Sequence, residues 1–219
     1  MEQNIIQAIQ EFARTPFLDT LLKGITQLGD EMLFLVVALT IFWCIDKRYA
    51  FKLVNIYLLG ACVVEGMKNA VRRPRPYTQD GIVSVGEKTH GYSFPSGHSH
   101  SISNLCTQVS MKLRSGYVYG LSAIIVVLVA FSRMYLGQHY LTDVVTGIAL
   151  GVAIAVLLSQ VYELLGNHEE YIVLAVAPIC LLVLLIIVIL GKTEQMESIF
   201  KVLGGYTALT MGYYLEKNM

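Results

Sequence analysis

The sequence predicts an all-α fold: a polytopic transmembrane helical bundle with an amphipathic helix on the membrane surface at its N-terminus. Three observations predict it. Of 219 residues, 55% are hydrophobic and only 15% charged, and the mean hydropathy of +0.58 lies far from that of a water-soluble globule. Several windows approach the roughly 20 apolar residues that a helix needs to cross the hydrocarbon core. No internal repeat, low-complexity tract or polar domain interrupts them. The 16 basic and 16 acidic side chains cancel, so nothing argues for a nucleic-acid partner, and the bilayer is the expected surrounding.

Residues 1–28 form the first element, an interfacial segment. Ile5, Ile6, Ile9, Phe12, Phe17, Leu18, Leu21, Leu22 and Ile25 recur near helical spacing among charged and amide side chains, which describes a surface helix broken near Pro16. The segment lacks the basic flank and continuous apolar core of a signal peptide and is read as part of the mature chain. Residues 29–219 are expected to form one transmembrane domain. Windows 116–132, 144–162 and 171–191 carry no charge. Shorter charge-free cores at 32–45, 53–64 and 202–215 can be lengthened by flanking side chains that snorkel. Residues 98–112 are too polar to face lipid and would have to be an interior helix shielded by the others. The window rule therefore gives about seven crossings. Cys44, Cys62, Cys106 and Cys180 all fall in apolar stretches without a CxxC spacing, as buried small hydrophobes do.

Helix parity then places chemistry. If 49–67, 98–114, 116–135 and 140–162 each cross once, segments 68–97 and 133–143 emerge on one face. The turns with Lys47, Arg48, Lys52, Lys112 and Arg114 share the other, which the positive-inside rule makes cytoplasmic. The protein is expected in the cell membrane as a multi-pass chain with its polar cluster facing the extracytoplasmic side. Lys68, Arg72, Arg73, Arg75 and Lys88 then stand against the topological bias, which asks for a functional reason.

Three clusters lie on that face: Lys68-Asn-Ala-Val-Arg72-Arg73-Pro74-Arg75-Pro76, Pro95-Ser96-Gly97-His98, and Ser132-Arg133 through His139 to Asp143. Singly, each has an ordinary explanation. Arg72 and Arg73 read as headgroup anchors, Ser96-Gly97 as a helix cap, and His139 with Asp143 as an i,i+4 polar pair. Together they supply what a phosphoryl group needs, namely cations, an in-line nucleophile and a proton donor. Arg75 and Arg133 can fork onto phosphate oxygens, and Lys68 adds a point charge with Glu65 as its ion-pair partner. The N–H groups of Ser96, Gly97 and His98 open a helix whose positive end attracts anions. Asp143 can hold His139 in the tautomer that leaves its other nitrogen free to attack, and His98 remains as the acid.

The pattern Lys-x6-Arg-Pro, Pro-Ser-Gly-His and Ser-Arg-x5-His-x3-Asp, in this order and without a substitution, resembles the signature of the type 2 phosphatidic acid phosphatase superfamily, in its integral membrane lipid phosphatase branch. The resemblance covers 68–143. It implies a phosphatase that needs neither metal nor other cofactor. His139 would become phosphohistidine, Asp143 would activate it, and His98 would protonate the leaving oxygen. Lys68, Arg75, Ser96, Gly97 and Arg133 would hold the phosphate. Many membrane members carry a further hydrophobic helix before the surface helix, whereas this chain is expected to begin at the surface helix and to carry extra apolar helices after Asp143.

Two rivals were weighed. A zinc hydrolase could use His98, His100, His139 and Asp143, but the only nearby carboxylate is already engaged, and His100 reads as a polar lining residue. A lipid phosphate carrier has no need of the His139 and His98 pair. The expected substrate is a membrane lipid whose phosphate reaches the basic cluster. Polyprenyl diphosphate leads, because the outward-facing site suits it, with phosphatidylglycerophosphate, phosphatidic acid and sphingoid-base phosphate as alternatives.

Overall fold

A computed structural model describes residues 2–166, 168, 170–189 and 197–218. Among these residues the chain is helical, without strands. The N-terminal segment is two helices, α1 (Glu2–Ala13) and α2 (Pro16–Thr26). Pro16 sits in the first turn of α2, where a missing N–H costs nothing, and the Thr15 hydroxyl accepts from Leu18 N at 3.2 Å. Sequence periodicity places this segment on the membrane surface. The structure packs α2 onto the bundle, with Leu22 in a buried cluster with Val85, Tyr135 and Leu136.

A 3-10 turn (Gln27–Gly29) joins α2 to α3 (Glu31–Cys44), and the Asp30 carboxylate caps α3 by accepting from Met32 N at 2.8 Å. Then come α4 (Lys47–Val71), α5 (Gly97–Leu113), α6 (Gly116–Tyr135), α7 (Leu141–Leu165), α8 (Glu170–Ile189) and α9 (Glu197–Asn218). Among the described residues, α4, α6 and α7 are long and apolar enough to cross a membrane. The segment Pro16–Gly29 with α3, bent by 50°, would make a fourth span. In α8 the stretch Ala175–Ile189 is apolar but shorter; residues 190 and 191 of the window expected there lie outside the described residues. By length and composition, three or four long spans fall within the described residues, where the window rule leads one to expect about seven crossings. Asp30 and Ser96 each start a helix of fewer than 18 residues.

The polar helix α5 is indeed interior. Ser99, His100, Ser101, Ser103, Asn104, Gln108 and Ser110 are all buried, and α4, α6 and α7 pack around it. Close approach to α7 is made possible by Gly147, Gly151, Ala155 and Ser159, buried at four-residue intervals. A Cβ on Gly151 would lie 2.0 Å from Ser103 Oγ and 2.6 Å from the His100 carbonyl oxygen. Hydroxyls on α5 satisfy themselves locally, as Ser103 Oγ donates to the Ser99 carbonyl at 2.7 Å. This packing fixes the first turn of α5 beside the first turn of α7, where two of the three sequence clusters meet.

Candidate active site

The first cluster ends α4. Lys68 Nζ donates to Glu65 Oε1 at 2.6 Å, as the three-residue spacing predicts. Arg72 stops the helix in the left-handed conformation, with φ 53°. Arg75, only 4% exposed, is fixed from several sides. Its Nε donates to the Gly91 carbonyl at 2.9 Å, one terminal nitrogen to the His90 carbonyl at 2.9 Å, and the other to the Gln138 carbonyl at 3.2 Å. Burial lowers the guanidinium pKa from its ordinary value, but an arginine keeps its charge over the working pH range.

His139 lies in the short connection between α6 and α7. Its Nδ1 is 2.7 Å from the Ser93 carbonyl oxygen and its Nε2 is 3.2 Å from an Arg75 nitrogen. A carbonyl only accepts and a guanidinium only donates, so the proton belongs on Nδ1 and Nε2 carries a bare lone pair. Burial, followed by the charges of Arg133, Arg75 and Lys68, holds His139 well below its ordinary pKa and therefore neutral. The Nε2 lone pair is thus unprotonated and faces the basic cluster, where it accepts from Arg75.

Asp143 departs from the expected arrangement. Its Oδ2 is 3.7 Å from His139 Nδ1, too far for the hydrogen bond that the Ser93 carbonyl makes instead. The carboxylate accepts from Arg73 at 2.8 Å, from Tyr140 N at 2.8 Å and from the Ser93 hydroxyl. Asp143 is therefore linked to the imidazole through Ser93, whose carbonyl accepts from Nδ1 and whose hydroxyl donates to the carboxylate. Arg73, expected as a headgroup anchor, spans from Asp143 to Glu2 at 2.5 Å and stacks on Tyr140 with 4.0 Å to the ring centroid. Burial opposes ionisation of Glu2, but hydrogen bonds from Arg73 and Thr142 outweigh it and keep its pKa below the ordinary value.

The second cluster opens α5. Ser96 caps it, its hydroxyl accepting from Ser99 N at 3.3 Å, while its own N–H donates to the Asp143 carbonyl at 3.0 Å. That N–H is engaged here, and Ser96 ties the α5 and α7 helix starts together. Gly97 lies open beside Lys68, whose Nζ would be 3.6 Å from a Cβ there. His98 Nε2 sits 3.9 Å from Asp30 Oδ2, because Gly29 lets the 3-10 turn press against the His98 backbone, leaving only 2.8 Å for a Cβ. Arg133 is buried and donates to Thr26 Oγ1 at 3.0 Å and Thr89 Oγ1 at 3.3 Å.

Lys68, Arg75, Gly97, His98, Arg133 and His139 line one cavity of about 440 Å³. Ser96 and Asp143 stand behind it. His100 also lines it but is buried against Gly60. Among the described residues no three His, Cys, Asp or Glu side chains gather as a metal site. Sequence reasoning missed Asp30, Arg73, Thr89 and Ser93. Arg73 was visible as a basic residue against the topological bias, whereas the others carry no local signal because their partners lie far along the chain. The cavity can take a phosphate among three cations, with the imidazoles of His139 and His98 in its wall.

Residues 49–167 match the family model described as the PAP2 superfamily. Phosphatidylglycerophosphatase B of Bacillus subtilis is 28% identical over 184 residues, covering 77% of this chain and 88% of that one. The dihydrosphingosine 1-phosphate phosphatase C823.11 of Schizosaccharomyces pombe is 25% identical over 71% of this chain, but the match spans only 41% of that protein. The crystal structure of Aquifex aeolicus LpxE shares the fold, with a TM-score of 0.65 at 22% identity over 72% of this chain and 93% of that one.

Proposed function

Because this chain belongs to the PAP2 superfamily and is a multi-pass membrane protein, we propose that it is a membrane lipid phosphatase working through a phosphohistidine. The observation that carries the reading is the bare Nε2 of His139, 3.2 Å from Arg75 at the wall of the basic cavity. In the first step the Nε2 lone pair attacks the terminal phosphorus, and the bond to its leaving oxygen breaks (the bridging oxygen of a diphosphate, the ester oxygen of a monophosphate). Protonated His98 gives its proton to that oxygen as the lipid phosphate or alcohol departs. Burial and the charge of Arg133 hold His98 well below its ordinary pKa, at about 2, before substrate arrives; the phosphate dianion and Asp30 act against that shift and favour the protonated acid. In the second step water attacks phosphorus, neutral His98 takes its proton, the P–N bond breaks, and inorganic phosphate leaves. Lys68, Arg75, Arg133 and the first N–H groups of α5 offset the charge that develops on the phosphoryl oxygens. With three cations already in place, the reaction is proposed to need no metal ion.

The preferred substrate in this reading is a polyprenyl diphosphate whose tail stays in the bilayer, with the site on the extracytoplasmic side. Support comes from the charge bias, which gathers Lys47, Arg48, Lys52, Lys112 and Arg114 at the far end. A second reading, phosphatidylglycerophosphate, is favoured by the match to the Bacillus phosphatase over 88% of its length. Phosphate release by the purified protein tests both, across a panel of polyprenyl diphosphate, phosphatidylglycerophosphate, phosphatidic acid and sphingoid-base phosphate in detergent with EDTA present. The expected result is the highest kcat/KM on the diphosphate, undiminished by the chelator. No release from any of the four removes the phosphatase reading. Sidedness is tested by Lys88→Cys, which an impermeant thiol reagent should label on intact cells, and Ser115→Cys, which it should not.

A further inference from the structure

A second, larger cavity lies at the opposite end of the bundle. It encloses about 600 Å³ between the start of α4, the end of α5 and the end of α7, and it shares no lining residue with the catalytic pocket. Lys52, on its wall, precedes Lys68 by sixteen residues on α4, or about 24 Å along a helix rising 1.5 Å per residue. That separation spans most of a hydrocarbon core.

The lining is built for an anion. Four cations, Arg48, Lys52, Lys112 and Arg114, face two carboxylates, Asp46 and Glu163. Some of this charge answers carbonyls at the end of α7, since Lys52 Nζ is 3.5 Å from the Ser159 carbonyl oxygen and Arg48 donates to that of Gly166. Lys112 Nζ lies 3.5 Å from Asp46 Oδ2. Among the described lining residues the cations outnumber the carboxylates by two, around a space in the size range of small-molecule sites.

Gln108 adds a second, independent observation. It lines the same cavity and is only 2% exposed. Its Nε2 donates to Asn104 Oδ1 at 2.7 Å and to the Leu53 carbonyl at 3.3 Å, which fixes the orientation of the amide. Its Oε1 has no partner among the described residues. A buried carbonyl oxygen calls for a donor, and no cation on the wall fills that role.

We propose that this cavity binds a phosphate group that also carries a hydroxyl, with the phosphate on Lys52, Lys112 and Arg114 and the hydroxyl donating to Gln108. A phosphoglycerol headgroup from the leaflet opposite the catalytic pocket has this chemistry, and so does a soluble glycerol phosphate. The site is independent of the substrate assigned to the catalytic pocket.

The test uses the full chain in nanodiscs of mixed phosphatidylglycerol and phosphatidylcholine, with retained lipid counted by native mass spectrometry. Wild type should hold phosphatidylglycerol in preference to phosphatidylcholine by about tenfold. Lys52→Met and Lys112→Glu should erase that preference, while turnover of a soluble aryl phosphate stays at the wild-type rate. If soluble glycerol phosphate fails to displace the lipid, the source is the bilayer. If it displaces the lipid, the same site serves a soluble ligand. Equal retention of the two lipids by wild type overturns the proposal, as does unchanged preference in both variants. Should Lys52→Met not fold, Lys112→Glu decides alone, because that side chain is half exposed at the rim.

Discussion

His139 is held from every side, whereas His98 stands on the first turn of α5 with a carboxylate 3.9 Å away and the cavity in front of it. Around His139, the Ser93 carbonyl and the Arg75 guanidinium determine the tautomer and the direction of the lone pair, and a carboxylate with its own three donors holds Ser93. Around His98, no comparably close hydrogen bond fixes the ring. The difference suits the two tasks. A nucleophile gains from preorganisation at the reacting atom, while an acid that later serves as a base must exchange a proton with a leaving oxygen and then with water.

Breaking the tightly held side should cost most. His139→Ala removes the covalent route, and turnover is expected to fall by roughly 10⁴-fold or more on every substrate. His98→Ala should cost about 10²–10⁴-fold on an alkyl phosphate and far less on an aryl phosphate, whose leaving oxygen needs little help. Steady-state rates of the two variants on both ester types check the pair. Equal residual rates on the aryl ester would dissolve the distinction between the two regions.

Asp143→Asn sharpens the comparison. A carboxylate that directly fixes a catalytic tautomer is worth about 10⁴-fold, but here the Ser93 carbonyl holds the Nδ1 proton. The expected loss is therefore nearer that of an outer-shell partner, about 10–100-fold. Nitrogen-15 NMR of labelled histidine should still find His139 neutral and protonated at Nδ1 at pH 6 in this variant, as in wild type, because the lowered pKa keeps the neutral form populated below the ordinary histidine range. A switch to the Nε2 tautomer would assign that control to Asp143 after all.

The smallest effect is expected at Asp30. Asn caps a helix about as well as Asp, so Asp30→Asn should leave thermal stability unchanged. It removes the carboxylate facing His98, and a loss of up to about tenfold is expected, confined to substrates with poor leaving groups. An equal loss on aryl and alkyl esters would separate Asp30 from the acid.

By itself, the sequence determined the all-α membrane class, the interior position of 98–112, the meeting of 68–97 with 133–143, and the Lys68–Glu65 pair. These follow from composition, periodicity, helix parity and three-residue spacing, all of them properties of neighbouring residues. Only the tertiary structure decided where the helices start and stop, with Asp30 and Ser96 capping α3 and α5. It alone put the Ser93 carbonyl on His139, turned Arg73 from the membrane surface onto Asp143, and occupied the Ser96 N–H with the Asp143 carbonyl. It alone gathered Gln108 and the basic ends of three helices around a second cavity. Each of these contacts joins residues distant in the chain, and its partner is set by helix packing through Gly29, Gly147 and Gly151, where the absence of a side chain lets backbones approach.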